Sequence, residues 1–214
     1  MLSCLVLAGC TASSTNQLDG VEPSSPSLVN SFRPIPFAER RFANTVRQRF
    51  DFSCGAASVA TLLKFYYNQP VGEVEILSLL KRTYQGEDFS KTQTEGFSFA
   101  DLSNAVAALN FSSQAAEVSI DQLAKLNGPA IIHLDKGTFQ HFVVLRRMGP
   151  DVAYVSDPIT GDVTMQIYQL RQQYTGNALA IWREGEELPA LSRLTGVQDG
   201  MSVSQVVRGA IVPA

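Results

Sequence analysis

Ala56, Val59, Ala60, Leu63 and Tyr67 recur at the spacing of one helical face, which predicts a helix from Cys54 to Tyr67. Asp51 and Ser53 precede it as N-cap candidates, and Asn68-Gln69-Pro70 stops it. The same spacing returns at Val74, Leu77 and Leu80, predicting a helix over 73–82, and at Leu102, Ala105, Val106 and Leu109, predicting another over 98–109. Between them, 86–96 carries Gly, Ser, Thr and Gln and reads as a loop. Thr45 to Phe50 reads as a short extended segment, and a short helix is expected over 120–126, ahead of Gly128-Pro129. Beyond that point the period changes. Residues 130–135, 141–148 and 152–156 are short apolar or β-branched runs divided by turn residues, as antiparallel strands are. A helical stretch over 166–174 leads to a last strand over 177–182. Helices followed by strands predict an α+β domain, with N-terminal helices packed on a C-terminal antiparallel sheet.

Polar texture bounds this unit. Residues 11–32 are dominated by Ser, Thr, Pro, Asn and Gln and read as a flexible tether. Residues 1–10 are apolar but too short to span a bilayer, and end Leu7-Ala8-Gly9-Cys10, as a secretory signal segment would. That ending resembles the lipobox of bacterial lipoproteins, which implies a lipid on Cys10 and a membrane tether. The expected location is therefore periplasmic or lipid-anchored, outside a bacterial cytoplasm. The folded domain is expected over 33–183, followed by a C-terminal extension, 184–214, that carries no readable motif. With 214 residues, 45% of them apolar and 17% charged, the chain can bury one core of ordinary size. A net charge of −3 lacks the basic footprint of a nucleic-acid binder. Two histidines and one mature thiol, without ligand spacing, make no metal set, and no cofactor is expected.

Once Cys4 is removed and Cys10 acylated, Cys54 is the only thiol in the chain. A thiol attacks as thiolate, and a free cysteine with a pKa of about 8.5 is mostly protonated at neutral pH. A place at a helix N-terminus, where backbone N–H groups point outward, favours the anion. Gly55 is expected to leave room for a substrate backbone. A base must be His133 or His141. His133 lies in the middle of an apolar run, as a core histidine would. For His141, a turn centred on Gly149-Pro150 pairs residues whose numbers sum to about 299, which sets it opposite Pro158 and beside Asp157. A carboxylate there would hold one ring nitrogen and leave the other for the thiol. A turn over 136–140 would instead pair His141 with Asp135, which stays open as the second choice.

Taken together, Gln48-Arg-Phe-Asp-Phe-Ser-Cys54-Gly-Ala-Ala-Ser-Val-Ala-Thr-Leu-Leu63, His141-Phe-Val-Val-Leu145 and Val155-Ser-Asp157-Pro158 resemble peptidase family C39, the bacteriocin-processing or double-glycine peptidases. The resemblance runs from about Arg47 to Trp182 and implies a papain-like cysteine peptidase fold. It implies Cys54 as nucleophile, His141 as base, Asp157 as its orienting group, and Gln48 as a side-chain donor to the oxyanion. Gln48 would otherwise read as a surface residue. The resemblance further implies cleavage of a peptide or protein precursor after a Gly-Gly leader. Neither a membrane-spanning bundle nor a phosphate-binding Gly-x-x-x-x-Gly-Lys-[Ser/Thr] loop is present, so the chain is more similar to the stand-alone, exported members. Some of these accompany functional-amyloid secretion systems, which implies secretion or amyloid-assembly machinery as a partner. Two other functions fit the same residues: acyl transfer to an amine, as in transglutaminase-like folds, and a cleft that holds a precursor without cutting it.

Overall fold

A computed structural model describes residues 36–84, 87–126 and 128–183. The expectations for the signal segment, the tether and the extension at 184–214 fall outside these residues. The elements run α1 (Phe37–Arg40), α2 (Cys54–Phe65), α3 (Glu73–Thr83), α4 (Glu87–Glu95), α5 (Phe99–Ala107), β1 (Phe111–Glu117), α6 (Ile120–Leu123), β2 (Ala130–Asp135), β3 (Gln140–Met148), β4 (Val152–Asp157), β5 (Gly161–Gln166), α7 (Ile167–Gln173) and β6 (Tyr174–Arg183). The strands form one antiparallel sheet in the order β1-β6-β2-β3-β4-β5. This is the expected α+β, papain-like arrangement, with most helices ahead of the sheet.

Both faces of the sheet are covered, and the two-residue period of a strand sorts its side chains between two cores. Ile131, Phe142, Val144, Leu179 and Ile181 pack with α2, α3 and α5. Their neighbours Ile132, Val143, Leu145, Ala178 and Ala180 pack on the opposite side with Leu123 of α6 and Leu170 of α7. Continuous apolar runs in β2 and β3 follow from that double cover. Helix α2 is also buried on all sides over residues 54–63, so the apolar stripe understated its burial; only Lys64 and Phe65 at its end are exposed. Small residues let it sit that deep: its first four are Cys-Gly-Ala-Ala. Gly55 is fixed by this packing and does not make room for substrate, because a Cβ there would lie 3.1 and 3.2 Å from the Leu102 methyls and 3.2 Å from Phe142.

Three expectations change. The 86–96 loop contains α4, whose contact with the core is carried by Phe89 and the buried Thr92. Two edge strands, β1 and β5, extend the sheet beyond the expected strands. The β3–β4 register is also shifted from the expected sum of 299. Gly149 N donates to Val152 O, so the turn is centred one residue later and pairs Met148 with Ala153, a sum of 301. An irregularity between Leu145 and Arg147 then removes one residue, pairing Val144 with Ser156.

Candidate active site

Cys54 is the first residue of α2 and is 8% exposed. Ser53 occupies the N-cap place, but its hydroxyl turns away from the helix to Phe50 and Glu73, so no side chain caps the first turn. The backbone N–H groups of that turn remain oriented toward the thiol end. Ser58, one turn along, donates to the Phe142 carbonyl at 3.0 Å inside the core. That bond fixes α2 against the strand that carries His141.

His141 is 1% exposed, and its Nε2 lies 2.9 Å from Asp157 Oδ1. It also hydrogen-bonds to Cys54, leaving Nδ1 as the nitrogen for the thiol. Burial alone would push the imidazole pKa down. The bonds to Asp157 and Cys54 and the charges of both outweigh it and raise the pKa to about 9. Asp157 is desolvated as well, yet the bond and charge of His141 and two backbone N–H donors hold its carboxyl below the usual range. Those donors, Ile159 N at 2.8 Å and Thr160 N at 3.3 Å, reach the same Oδ1 across the β4–β5 turn. Asp157 thus serves the turn and the imidazole with one oxygen.

Asp135 does not meet His141. The β2–β3 hairpin pairs it with Gln140 and sets Leu134 against His141, and the Asp135 carboxylate accepts from Gly137 N at 2.7 Å. His133 is half-buried between Phe142 and Phe99, with Nδ1 3.1 Å from Thr175 Oγ1. Desolvation lowers its pKa, although Asp135 pulls the other way and His141 adds to the lowering.

Gln48 lies on a strap, residues 41–48, laid across the β4–β5 turn. Gln48 N donates to Pro158 O at 3.0 Å and Val46 N to Thr61 Oγ1 at 2.9 Å. Asp162 takes bonds from Asn44 Nδ2 and Thr45 Oγ1, and its own N–H donates to Arg41 O. One proton of the Gln48 amide goes to Phe50 O at 3.0 Å, which leaves the second. Gln48, Phe52, Cys54, Thr138, Phe139, Gln140 and Ile159 share a cleft of about 580 Å3. Phe139 stands edge-on to His141 at 5.7 Å between ring centroids. A separate cavity of about 380 Å3 beside Tyr66, Arg147 and Tyr154 holds none of these groups. No cluster of metal-ligating side chains occurs among the described residues. The sequence pattern gave no sign of Phe139, Asp162 or Glu73 as parts of this surround. Each acts through contacts far apart in the chain, and a Glu at a helix start reads as an ordinary dipole-matched surface residue.

The Peptidase C39 family profile matches residues 43–186. Probable functional amyloid protease FapD of Pseudomonas aeruginosa is 32% identical over 147 residues, covering 69% of this chain. The chain spans 64% of that relative's length. Among solved structures, a double glycine motif protease from an AMS/PCAT transporter, in complex with the leader peptide, is 24% identical. It aligns with a TM-score of 0.55 over 65% of this chain and 91% of its own. The peptidase domain of Streptococcus ComA, a bifunctional ABC transporter, is 20% identical, with a TM-score of 0.57 over 66% and 98%. At these identities the two structures establish the fold.

Proposed function

The chain belongs to the peptidase C39 family, and we propose that it is a cysteine peptidase that cuts an exported peptide or protein precursor with Cys54, His141, Asp157 and Gln48. The observation that carries the reading is the hydrogen-bonded line Cys54–His141–Asp157 ending in a cleft that also holds Gln48. With a pKa of about 9, His141 is an imidazolium at neutral pH, so it supports a thiolate beside it and has a proton to give. The thiolate attacks the scissile carbonyl carbon. The carbonyl oxygen becomes an oxyanion facing the free Gln48 Nε2–H and the Cys54 backbone N–H. As the tetrahedral intermediate collapses, the C–N bond breaks and the His141 proton goes to the leaving amine. His141, now neutral, takes a proton from water, and the hydroxide so formed releases the acyl group from Cys54. Asp157 keeps Nε2 protonated and the ring in place throughout.

The substrate in this reading is cut after paired glycines. Support comes from the small exposure of Cys54, which favours residues without side chains, and from the double glycine motif protease among the structural neighbours. Likeness to the functional amyloid protease extends the reading to a precursor of that secretion class. The export and lipid anchor rest on Leu7-Ala8-Gly9-Cys10 and are tested by radiolabelled palmitate incorporation into wild type but not Cys10→Ala. The function itself is tested by mass spectrometry of exported proteins from wild-type and Cys54→Ala cells. Precursors should accumulate uncut in the variant, with wild-type cut sites after Gly-Gly. Identical peptide maps would refute cleavage, and cut sites elsewhere would refute the glycine specificity alone. Products carrying an added amine in place of a free carboxylate would identify a transferase.

A further inference from the structure

Glu73 opens α3 and is 3% exposed, and among the described residues it forms no salt bridge. Its Oε2 is enclosed and meets no hydrogen-bond partner among the described residues, whereas its Oε1 accepts from Arg49 N at 2.8 Å and from Ser53 Oγ at 2.5 Å. Burying a carboxylate is costly, and apolar residues of similar volume often stabilise a fold more. Stability by itself is a poor reason to hold this group here, and its two partners suggest another. Arg49 directly follows Gln48, and Ser53 directly precedes Cys54. One carboxylate oxygen therefore grips both ends of the segment that separates the two proposed reactive groups.

Within that segment the bonds converge on Phe50. Its carbonyl accepts from Ser53 N at 3.1 Å and from Gln48 Nε2 at 3.0 Å, while Ser53 Oγ contacts the same carbonyl at 2.7 Å and Phe50 N at 3.3 Å. The Gln48 side chain is thus oriented by the Phe50 turn, and that turn is tied to Glu73 through Ser53 and Arg49. We propose that Glu73 is a positioning residue that sets the Gln48 amide at working distance from the Cys54 thiol. This inference rests on the proposed role of Gln48 as an oxyanion donor. Glu73 touches no reacting atom and acts through the loop above it.

The test compares two reactions of Cys54 in the full-length protein. Acylation by p-nitrophenyl acetate passes through an oxyanion, whereas alkylation by iodoacetamide does not. Glu73→Ala should slow acylation about as much as Gln48→Ala, roughly 100-fold, while alkylation stays within about 3-fold of wild type. Glu73→Gln, whose amide oxygen can accept the same two bonds, should recover most of the loss. The Gln48→Ala/Glu73→Ala double variant should be no slower than Gln48→Ala alone, since both act through one amide. Parallel loss of acylation and alkylation in Glu73→Ala, or multiplying losses in the double variant, would overturn the role of Glu73. Should circular dichroism show Glu73→Ala unfolded, Ser53→Ala cuts the same tie, and parallel losses there are equally fatal. A Gln48→Ala protein that acylates as fast as wild type removes the donor role of Gln48. Absence of any Cys54-dependent acylation in wild type removes the peptidase reading as a whole.

Discussion

Asp157→Asn separates the charge on the His141 partner from its shape. His141 moves from a reference pKa of 6.5 to about 9, which favours the imidazolium by roughly 3 kcal/mol. That gain survives burial, which acts in the opposite direction. Asparagine keeps an oxygen at 2.9 Å for Nε2–H but removes the carboxylate charge. An opposite charge in contact shifts a titration by about 1–3 units, so the variant should lower His141 by ~1–2 units, with the Cys54 contribution remaining. The chain has only two histidines, which makes the measurement direct: 15N-histidine NMR should resolve one imidazole titrating near 9 and one below 6.5. In Asp157→Asn the upper titration should fall while His133 stays put. The sign for stability follows. A raised histidine pKa contributes its full stabilisation below about pH 6.5, and this is lost as pH rises through about 9. The depressed Asp157 carboxyl contributes above its ordinary range and is lost as pH falls through its lowered value. Wild type should thus lose more stability between pH 6.5 and 9 than the variant does. Two histidines titrating together near 6.5, or an upper titration indifferent to Asp157→Asn, would refute the ion-pair account of the site.

Other expectations follow from the surround. Gly161 has φ +86, and a Cβ there would stand 2.7 Å from the Arg41 carbonyl carbon and nearer still to its oxygen. Gly161→Ala therefore carries ~1–2 kcal/mol of left-handed strain plus about 1 kcal/mol for the displaced Asp162–Arg41 bond. A melting temperature lower by ~5–10 °C is expected, and an unchanged one would show that the strap does not depend on that turn. Gly55→Ala overpacks Leu102 and Phe142 and should cost ~1–3 kcal/mol by urea titration, where a substrate-clearance role would spare stability and affect turnover alone. Asp135→Asn keeps an acceptor for Gly137 N and should leave iodoacetamide reactivity of Cys54 within about 2-fold. A large drop would return Asp135 to the site.

The parts of this fold that could be read from the chain are those whose burial leaves a periodic trace. Helices α2, α3 and α5 and strands β2 and β3 each present several apolar residues to a core, and their positions were legible to within a few residues. The edge strands were not. β1 reads Phe-Ser-Ser-Gln-Ala-Ala-Glu and is held by a single neighbour, β6, with mostly half-exposed side chains, so neither β-branched residues nor an apolar face announces it. β5 is the opposite edge and begins on a glycine. Helix α4 escaped for a related reason, since one aromatic and one threonine do not make a period.

The candidate site was legible in a different way, through joint occurrence, and the β3–β4 hairpin differs in register from the one its turn residues predict. The turn sits one residue later than supposed, and the strand irregularity at Leu145–Arg147 returns only one of the two residues gained. His141 still meets Asp157, because the carboxylate lies at the end of β4 with its chain turning sharply: Asp157 pairs with Gly161 across the turn, and its Oδ1 gathers Ile159 N, Thr160 N and His141 Nε2 together. A side chain on a regular strand would have been turned to the other face by a slip of one residue. One held by its own turn is insensitive to that slip. Asp135 fails for the same reason. Its carboxylate is likewise captured by a local turn, but that turn offers it Gly137 N, and the pairing of Leu134 with His141 leaves it on the neighbouring position of the ladder. Local turn chemistry, more than strand register, decides which carboxylate reaches the imidazole.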